Sequence, residues 1–239
     1  MNRIFAIGDI HGKFDMLEAA LDFIETLRKP EDVVIFLGDY IDRGDKSKQV
    51  IDKIIEYRKK YPNTITLRGN HEQFCLDAQN DPEQRQLWIY NGGYSTVPNY
   101  PNGKVSEEHL NFMSKTKMEH KTKSFRFVHA GFLPPGETWE YDGDLDPRIW
   151  IREPFISSKH IFKTGDVEKR VVFGHTVYKD GPLVRPGRLG IDQGAAYGGF
   201  LTTVVLNDEN PDFATFIIVD QENQVLTTQC MNIKEAEED

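Results

Sequence analysis

Five short apolar segments of this 239-residue chain end in residues that can bind metal ions or move protons. The polar residues that follow these segments are Asp9 and His11, Asp39, Asn70 and His71, His129, and His175. Imidazole, carboxylate and amide groups, with no thiolate among them, suit borderline divalent ions such as Mn, Fe, Zn or Co. Because one closed zinc site takes four ligands, this set is large enough for two ions that share a bridging carboxylate. Two ions roughly 3.5–4 Å apart can activate a water and hold a phosphoryl group during in-line displacement.

Taken one at a time, each of these residues has an ordinary structural explanation. A Gly-Asp pair after a strand is usually a turn or a helix cap, and a single histidine there is usually a hydrogen-bonded structural residue. Open α/β sheets, however, bind their ligands beyond the carboxyl ends of the strands. Repetition of the pattern at five such ends therefore predicts one shared site, from which His109, His120 and His160 are excluded by their positions.

The five apolar segments are predicted to be buried strands because they are short and rich in β-branched and aromatic residues. They cover residues 3–7, 33–37, 64–67, 125–128 and 171–173. Apolar residues recur at helical spacing over residues 14–28 and 46–60, between the first three strands. This alternation predicts that the first three strands are parallel and that the two helices pack outside them.

The last third of the chain has a different pattern. Residues 201–206, 213–219 and 224–228 are predicted strands joined by short turns, which favours antiparallel pairing. Residues 90–104 and 134–148 are rich in Gly, Pro, Asn and Asp and are predicted to be loops.

We expect a single domain over residues 1–233, followed by a frayed acidic tail over residues 234–239. A chain of this length buries roughly 70–75% of its unfolded surface, so a core forms without disulfides or structural metals. The two cysteines, Cys75 and Cys230, form neither a disulfide framework nor a metal quartet, which favours a reducing compartment.

The charge balance excludes several classes of protein. The chain has 29 Lys and Arg against 38 Asp and Glu, a formal net charge of −9, whereas proteins that bind nucleic acid or anionic lipid non-specifically need clustered cations. The apolar run at the N-terminus stops at Gly8, which is too short for a secretory leader or for the ~20 residues of a membrane span. We expect a cytoplasmic protein with no nucleic-acid or membrane partner; the pattern leaves the oligomeric state open, with a monomer as the simplest case.

Five motifs, in this order, resemble the calcineurin-like metallophosphoesterases, and more narrowly the short bacterial and phage members of the phosphoprotein phosphatase family. They are Gly8-Asp9-Ile10-His11-Gly12, Gly38-Asp39-Tyr40-Ile41-Asp42-Arg43-Gly44, Gly69-Asn70-His71-Glu72, His129-Ala130-Gly131 and Gly174-His175-Thr176. The Asp42-Arg43 pair favours the phosphatase branch. The resemblance implies a mixed α/β fold: a four-layer αββα sandwich with two central sheets flanked by helices and a metal site at the carboxyl ends of the strands.

The same resemblance implies two divalent metal ions, for which Mn is the first choice and Fe or Zn are alternatives. The implied ligands are Asp9 and His11 for the first ion, Asp39 as the bridge, and Asn70, His129 and His175 for the second ion.

His71 would be the general acid that protonates the leaving alkoxide, and Asp42 would orient it. A carboxylate partner fixes the tautomer of an imidazole and raises its pKa, so we expect His71 to stay protonated near neutral pH.

Arg43 would bind the phosphate oxygens, because a planar guanidinium matches phosphate better than an ammonium group does. Arg152, in a Trp-x-Arg element typical of the short members, is the expected second phosphate-binding arginine; the alternative is a surface arginine paired with Glu153. Asn70 would also contact the substrate. Tyr197 either lines the cleft or packs against its neighbours without a role in the cleft.

Two further segments resemble family segments near the cleft. One is Asn91-Gly92-Gly93, and the other covers residues 191–199, where Gln193 replaces a threonine found in many members.

The implied reaction is single-step hydrolysis of phosphomonoesters, in which a hydroxide that bridges the two ions attacks phosphorus and His71 protonates the departing oxygen. The expected substrates are phosphoserine and phosphothreonine, and also phosphotyrosine, in proteins.

A symmetric bis(5'-nucleosyl)-tetraphosphatase, which cleaves diadenosine tetraphosphate to two ADP, is the alternative enzyme. A catalytically inactive scaffold and a nuclease are the remaining alternatives, and the net charge disfavours the nuclease. Substrate choice is expected to depend on residues 74–124 and 132–170.

Overall fold

Two mixed β-sheets form the centre of the molecule. The computed structural model describes residues 2–140, 145–164 and 166–234. The strands are β1 (Arg3–Ile7), β2 (Val33–Phe36), β3 (Thr64–Thr66), β4 (Glu119–Lys121), β5 (Phe125–Val128), β6 (Lys163–Thr164), β7 (Val167–Glu168), β8 (Arg170–Phe173), β9 (Leu183–Arg185), β10 (Arg188–Gly190), β11 (Leu201–Asn207), β12 (Phe213–Val219), β13 (Val225–Thr227) and β14 (Met231–Asn232). The helices are α1 (Phe14–Leu27), α2 (Ser47–Lys60), α3 (Asn70–Asp77), α4 (Pro82–Trp88), α5 (Tyr94–Thr96), α6 (Glu107–Ser114) and α7 (Pro147–Trp150).

The first sheet has the strand order β13-β12-β11-β1-β2-β3, and β14 pairs with β12. Strands β1, β2 and β3 are parallel, with α1 and α2 as the connections, as the alternation of strand and helix predicts. Strands β11, β12 and β13 run antiparallel to their neighbours, which confirms the prediction for the last third of the chain.

The second sheet has the order β4-β5-β8-β10-β9, and β5, β8 and β10 are parallel. Sequence analysis identifies β5 and β8 but misses β4, β9 and β10. These three strands are three residues long, and two of them, β4 and β9, are not fully buried, so they lack the continuous apolar run that marks a buried strand. Strands β6 and β7 form a separate ribbon.

The side chains of β1 alternate between two cores. Phe5 and Ile7 pack with the apolar faces of α1 and α2, whereas Ile4 and Ala6 pack against the second sheet, where Phe127 is among their neighbours. Residues two apart on a strand share a face, so a single strand supplies both layers. The two sheets therefore lie face to face.

Helices α1 and α2 cover the outer face of the first sheet, as predicted. The outer face of the second sheet is covered by a third core that includes Phe132, Phe155 and Phe162, in the segment that also contains α7. This confirms the predicted sandwich of two central sheets flanked by helices.

The prediction of a loop over residues 90–104 is wrong. The chain forms successive short helical turns there: a π-helical turn at Ile89–Gly93, then α5, then 3₁₀ turns at Val97–Asn99 and Pro101–Gly103. The Gly and Pro residues that favour a loop instead mark the kinks and starts of these turns, and Gly92 has a φ of 123°.

Within the loop predicted over residues 134–148, the start of α7 at Pro147 is helical, and residues 141–144 lie outside the described residues. The predicted acidic tail also lies largely outside them, since Lys234 is the last residue described. Ile233 is buried in the core between the sheets. The single domain over residues 1–233 stays a prediction. Within the described ranges, no helix has the length and apolar content needed to cross a bilayer.

Asp32 ties the start of β1 to the connection between α1 and β2. Its Oδ1 accepts the backbone N–H of Arg3 at 2.8 Å, and its Oδ2 accepts the backbone N–H of Lys29 at 2.8 Å and the Arg3 guanidinium at 2.7 Å. Burial raises the pKa of Asp32, but these hydrogen bonds outweigh burial and hold the pKa below its usual range. The ionised carboxylate therefore stabilises the fold.

We expect Asp32→Asn to lower the free energy of unfolding by about 2–3 kcal/mol at pH 7, because an amide cannot accept all of these donors. A carboxyl whose pKa is lower in the folded chain stabilises it above the unfolded pKa, about 3.9, and loses this contribution as the pH falls further. Urea unfolding should therefore give the same difference at pH 7 and pH 5 and a smaller one below about pH 4. Asp22→Asn, on the exposed face of α1, is the control; equal stability of Asp32→Asn and the wild type at pH 7 would contradict this assignment.

Candidate active site

The carboxyl ends of five parallel strands meet at one place between the two sheets. β1, β2 and β3 of the first sheet lead into Asp9, Asp39 and Asn70, and β5 and β8 of the second sheet lead into His129 and His175. These five residues are all buried. The backbone N–H of His175 binds the carboxylate of Asp9 at 3.0 Å, which joins residues 166 positions apart in the chain. The structure thus brings the predicted ligands of both sheets together.

Asp39 lies at the centre of this cluster. Its Oδ2 is 3.3 Å from His11 Nε2 and 3.9 Å from His71 Nε2, and its Oδ1 is 3.4 Å from His129 Nε2. Burial opposes ionisation, but the imidazoles of His129, His71 and His11 hold the pKa of Asp39 well below its usual range. Two groups of potential metal donors share this carboxylate: His11, Asp39 and His71, and Asp39, His129 and His175.

Three histidines of the cluster each have one ring nitrogen close to a backbone carbonyl. The pairs are His11 Nδ1 with Ile41 O at 2.8 Å, His129 Nδ1 with Leu37 O at 3.1 Å, and His175 Nε2 with Trp150 O at 3.1 Å. Because a carbonyl oxygen can only accept, each of these nitrogens carries the proton. When such an imidazole is neutral, its other ring nitrogen carries a lone pair, and in each of the three rings this nitrogen faces the centre of the cluster.

Two of these lone pairs point at an oxygen. His129 Nε2 and His175 Nδ1 lie 3.1 Å and 3.0 Å from Asn70 Oδ1. Burial lowers the pKa of His129 to about 4. Burial, together with the neighbouring His129 and Arg152 side chains, lowers the pKa of His175 well below its usual range, so both rings are neutral at pH 7. Acceptor atoms that converge without a proton between them fit a divalent cation, and the donor set of imidazoles, carboxylate and amide suits such an ion.

The surroundings of the Asp9 carboxylate also favour a bound cation. Burial raises the pKa of Asp9 well above its usual range, and the carboxylates of Asp192 and Asp39 raise it further. Asp192 is 4% exposed and accepts the N–H of Gly194 at 2.9 Å. Sequence analysis quotes Asp192 within a family segment but gives it no role. Carboxylates that raise one another's pKa in a buried site would be relieved by bound cations.

The predicted pair of His71 and Asp42 is present. His71 Nδ1 lies 2.8 Å from Asp42 Oδ2, and both side chains are at most 1% exposed. The expectation that the pKa of His71 is raised is wrong, because the sum of all effects on this ring lowers it. Burial lowers the pKa of His71, and the charges of Asp39 and Asp42 offset only part of this effect. The sequence shows the carboxylate partner but not the depth at which the pair lies.

The two predicted phosphate-binding arginines lie on different sides of the cluster. Arg43 Nη1 is 2.5 Å from His11 Nε2, and its guanidinium carbon is 5.1 Å from the ring centre of Tyr197, which is 59% exposed. Arg152 is exposed, and its Nη2 lies 3.4 Å from the carbonyl oxygen of His175. Tyr197 therefore lies beside a candidate phosphate-binding group, and its role in the cleft stays a prediction.

Glu72 is a supporting residue to which sequence analysis gives no role, although it stands in the third motif. Its carboxylate accepts the backbone N–H groups of Asp39 and Tyr40, each at 2.8 Å, and that of Gly69 at 2.9 Å. Burial, with the nearby charge of Asp39, raises the pKa of Glu72 to about 8, although the three N–H donors favour its ionised form. Glu72 thus holds the backbone that presents Asp39.

The backbone of the site is strained. Among the described residues, seven that are not glycine have a positive φ, and five of these belong to the cluster: His11, Asp39, Asp42, Arg43 and His175, with φ of 47–72°. Left-handed backbone costs roughly 1–2 kcal/mol at a residue other than glycine. Such strain persists where the surrounding contacts over-determine it, and it is commonly found at functional sites.

The comparison with known families agrees with this geometry. The family model for calcineurin-like phosphoesterase matches residues 2–199. The chain therefore belongs to the calcineurin-like metallophosphoesterases and is a hydrolase.

Among individual proteins, the chain is 31% identical to serine/threonine-protein phosphatase 1 of Salmonella typhimurium over 212 residues, which cover 84% of this chain and 90% of that protein. A provisionally assigned diadenosine tetraphosphatase shares the fold with a TM-score of 0.60 and 18% identity, covering 95% of this chain and 93% of that chain. A cold-active protein-tyrosine phosphatase of a Shewanella species has a TM-score of 0.61 and 16% identity, covering 96% and 81%. At these identities the two solved structures show the fold alone.

Gly174 leaves no room for a side chain beside Asp9. A Cβ atom at Gly174 would lie 2.0 Å from Asp9 Oδ1, so Gly174→Ala must displace the carboxylate. If Asp9 holds a metal ion, we expect the affinity for Mn²⁺ to fall at least about tenfold. Titration calorimetry of metal-stripped protein with Mn²⁺ measures this.

Gly136→Ala is the control for this experiment. Gly136 has a positive φ, of 79°, which Gly174 does not have, and no atom lies within 4 Å of its Cβ position. The control should lose some stability because of backbone strain and keep the wild-type affinity for Mn²⁺. Unchanged Mn²⁺ affinity in folded Gly174→Ala would rule out Asp9 as a ligand.

Proposed function

We propose that this chain hydrolyses phosphomonoesters and that its principal substrates are phosphoserine and phosphothreonine, with phosphotyrosine also possible, in proteins. The observation that carries the proposal is the pair of donor groups that share Asp39, with two arginines and the buried His71–Asp42 pair around them. The 31% identity to a serine/threonine-protein phosphatase over most of the chain supports the choice of protein substrates.

The donor set fits two divalent ions, and we propose Mn²⁺ first, with Fe or Zn as alternatives. Asp9, His11 and Asp39 would hold one ion, and Asp39, Asn70, His129 and His175 the other. Bound ions of this class supply a water activated for attack at neutral pH and neutralise charge on a phosphoryl group.

Arg43 and Arg152 are proposed to bind the non-bridging phosphate oxygens. Both guanidinium groups approach the cluster, Arg43 at His11 and Arg152 at the His175 carbonyl. A planar guanidinium can donate two parallel hydrogen bonds to phosphate. Positive charge on two sides of the phosphorus would stabilise the charge that develops in the transition state. Asn70 and Tyr197 are proposed to contact the substrate as well.

His71 is proposed to protonate the leaving oxygen. Its Nδ1 is bound to Asp42, so its Nε2 is the nitrogen that can deliver a proton to the cleft. Burial lowers the pKa of His71 in the protein alone. A phosphoryl dianion placed beside the ring would raise this pKa again, because a nearby negative charge favours the charged imidazolium. The proton is then available in the complex in which it is needed.

A symmetric dinucleoside tetraphosphatase is the second candidate, favoured by the fold similarity to the provisionally assigned diadenosine tetraphosphatase. An inactive scaffold is disfavoured because the whole donor set, both arginines and the His71–Asp42 pair are present. A cytoplasmic location and a monomeric state stay predictions.

The substrate proposal predicts that metal-stripped protein regains activity with Mn²⁺ and releases phosphate from phosphoserine and phosphothreonine peptides. Phosphate release and the formation of ADP from diadenosine tetraphosphate should be measured on the same preparation. A kcat/KM at least about tenfold higher for the phosphopeptides is the expected result. Turnover of diadenosine tetraphosphate without phosphopeptide hydrolysis would overturn our first choice.

The role of His71 predicts that His71→Asn lowers kcat for phosphoserine peptides by roughly 10²–10⁴-fold, the contribution typical of a positioned proton donor. Elemental analysis should find the wild-type metal content. His120→Asn, a half-buried histidine in β4, is the matched control and should keep wild-type turnover. Wild-type-like turnover of His71→Asn would exclude the acid role.

A further inference from the structure

The carboxylate of Asp42 has two buried partners besides His71. Its Oδ2, which binds His71, also accepts the indole N–H of Trp88 at 2.9 Å, and its Oδ1 accepts the hydroxyl of Thr96 at 2.6 Å. Asp42, Trp88 and Thr96 are each 0% exposed. An indole nitrogen can only donate, so the direction of its hydrogen bond is certain. Both carboxylate oxygens are therefore held from outside the His71–Asp42 pair.

The backbone of Asp42 is held by the same group of residues. Its N–H points at Ser47 Oγ at 3.0 Å and at Thr96 Oγ1 at 2.9 Å, and the two hydroxyl oxygens are 2.9 Å apart. The φ of Asp42 is 72°, a conformation that needs support from its surroundings. Asp42 is thus fixed at its backbone and at both carboxylate oxygens.

Trp88 has its position because Gly93 has no side chain. A Cβ atom at Gly93 would lie 2.7–2.8 Å from three atoms of the Trp88 indole, one of them Nε1. The neighbouring Gly92 has a φ of 123°, and its carbonyl accepts the backbone N–H of Arg43 at 3.2 Å. The glycine pair lets the segment 88–96 lie directly against the second motif. It also explains the Asn91-Gly92-Gly93 element, to which the proposed reaction gives no role.

We propose that Trp88 is a positioning residue for His71, acting through Asp42, and that Gly93 provides the space this needs. The inference rests on the proposed function in one respect: His71 must be the group that protonates the leaving oxygen. Trp88 and His71 both bind Asp42 Oδ2. The hydrogen bond from Trp88 therefore determines the position of this oxygen and, through it, the orientation of the imidazole. A small change in the orientation of the imidazole slows proton transfer strongly.

The inference predicts a dependence on the leaving group. A poor leaving group such as phenolate needs a proton as it departs, whereas p-nitrophenolate leaves easily without one. Loss of the Trp88 hydrogen bond should therefore slow the hydrolysis of phenyl phosphate far more than that of p-nitrophenyl phosphate. A merely structural role for Trp88 would slow both substrates equally.

The experiment compares Trp88→Phe and Gly93→Ala with the wild type on these two aryl phosphates, in the Mn²⁺-loaded protein. We expect kcat for phenyl phosphate to fall roughly tenfold, a part of the 10²–10⁴-fold that a positioned proton donor contributes. For p-nitrophenyl phosphate we expect a fall of less than about twofold, with KM unchanged for both. In a His71→Asn background, Trp88→Phe should have no further effect on either substrate.

Tyr100→Phe is the matched control. Tyr100 lies in the same core as Trp88, and the substitution likewise removes one buried hydrogen bond, of 2.7 Å between the hydroxyl and His109 Nδ1. Among the described hydrogen bonds, none joins Tyr100 to Asp42. It should leave the ratio of the two rates unchanged. Should Trp88→Phe fail to fold, Thr96→Val tests the same support from the other carboxylate oxygen and should change the ratio in the same direction.

If Trp88→Phe and Gly93→Ala both leave the ratio of the two rates unchanged, the inference is overturned, whether or not the two rates fall. A Trp88→Phe effect of the same size in the His71→Asn background would also overturn it. The aryl phosphates separate this result from the substrate proposal, because they test proton transfer without a peptide or a nucleotide. If His71→Asn itself slows the two substrates equally, the acid role of His71 fails rather than the role of Trp88.

Discussion

The carboxylate of Asp39 is the group around which the rest of the structure is arranged. It stands at the end of β2, within 4 Å of histidines supplied by both sheets, and both groups of candidate metal donors include it. A buried carboxylate is stable only with hydrogen bonds or compensating positive charge, and the backbone N–H of His71 supplies one hydrogen bond, at 3.1 Å. The remaining acceptor atoms converge on the centre of the cluster, where divalent cations would complete the balance. The two sheets must therefore meet at their carboxyl ends for this site to form.

Holding these groups together has a cost that the fold offsets elsewhere. Five residues of the cluster have left-handed backbone, and the carboxylates of Asp9, Asp39 and Asp192 raise one another's energy. The compensation is local and specific: Glu72 accepts three backbone N–H groups beside Asp39, and glycines at positions 69 and 174 let the carboxylates approach the chain. The strain thus lies where the chemistry is placed, and the regular sheets around it carry the stability.

The proposed general-acid pair of His71 and Asp42 depends on a different part of the chain. Asp42 is held by Trp88, the last residue of α4, and by Thr96, the last residue of α5, in the succession of short helical turns that follows α4. This segment is a natural place to look for substrate specificity, because it interrupts the simple alternation of strands and helices. Its described contacts instead support the residue that orients His71.

The sequence by itself determined the five strands, the two long helices and the residues that follow them, because apolar runs and helical spacing are local patterns. It also determined the family, since the motifs are contiguous. Only the tertiary structure decided that Glu72, Trp88 and Thr96 support the site and that burial lowers the pKa of His71. The hydrogen bonds of these three supporting residues join positions up to 54 apart in the chain. Such bonds, and the depth at which a group is buried, depend on how the elements pack. No local pattern carries that information.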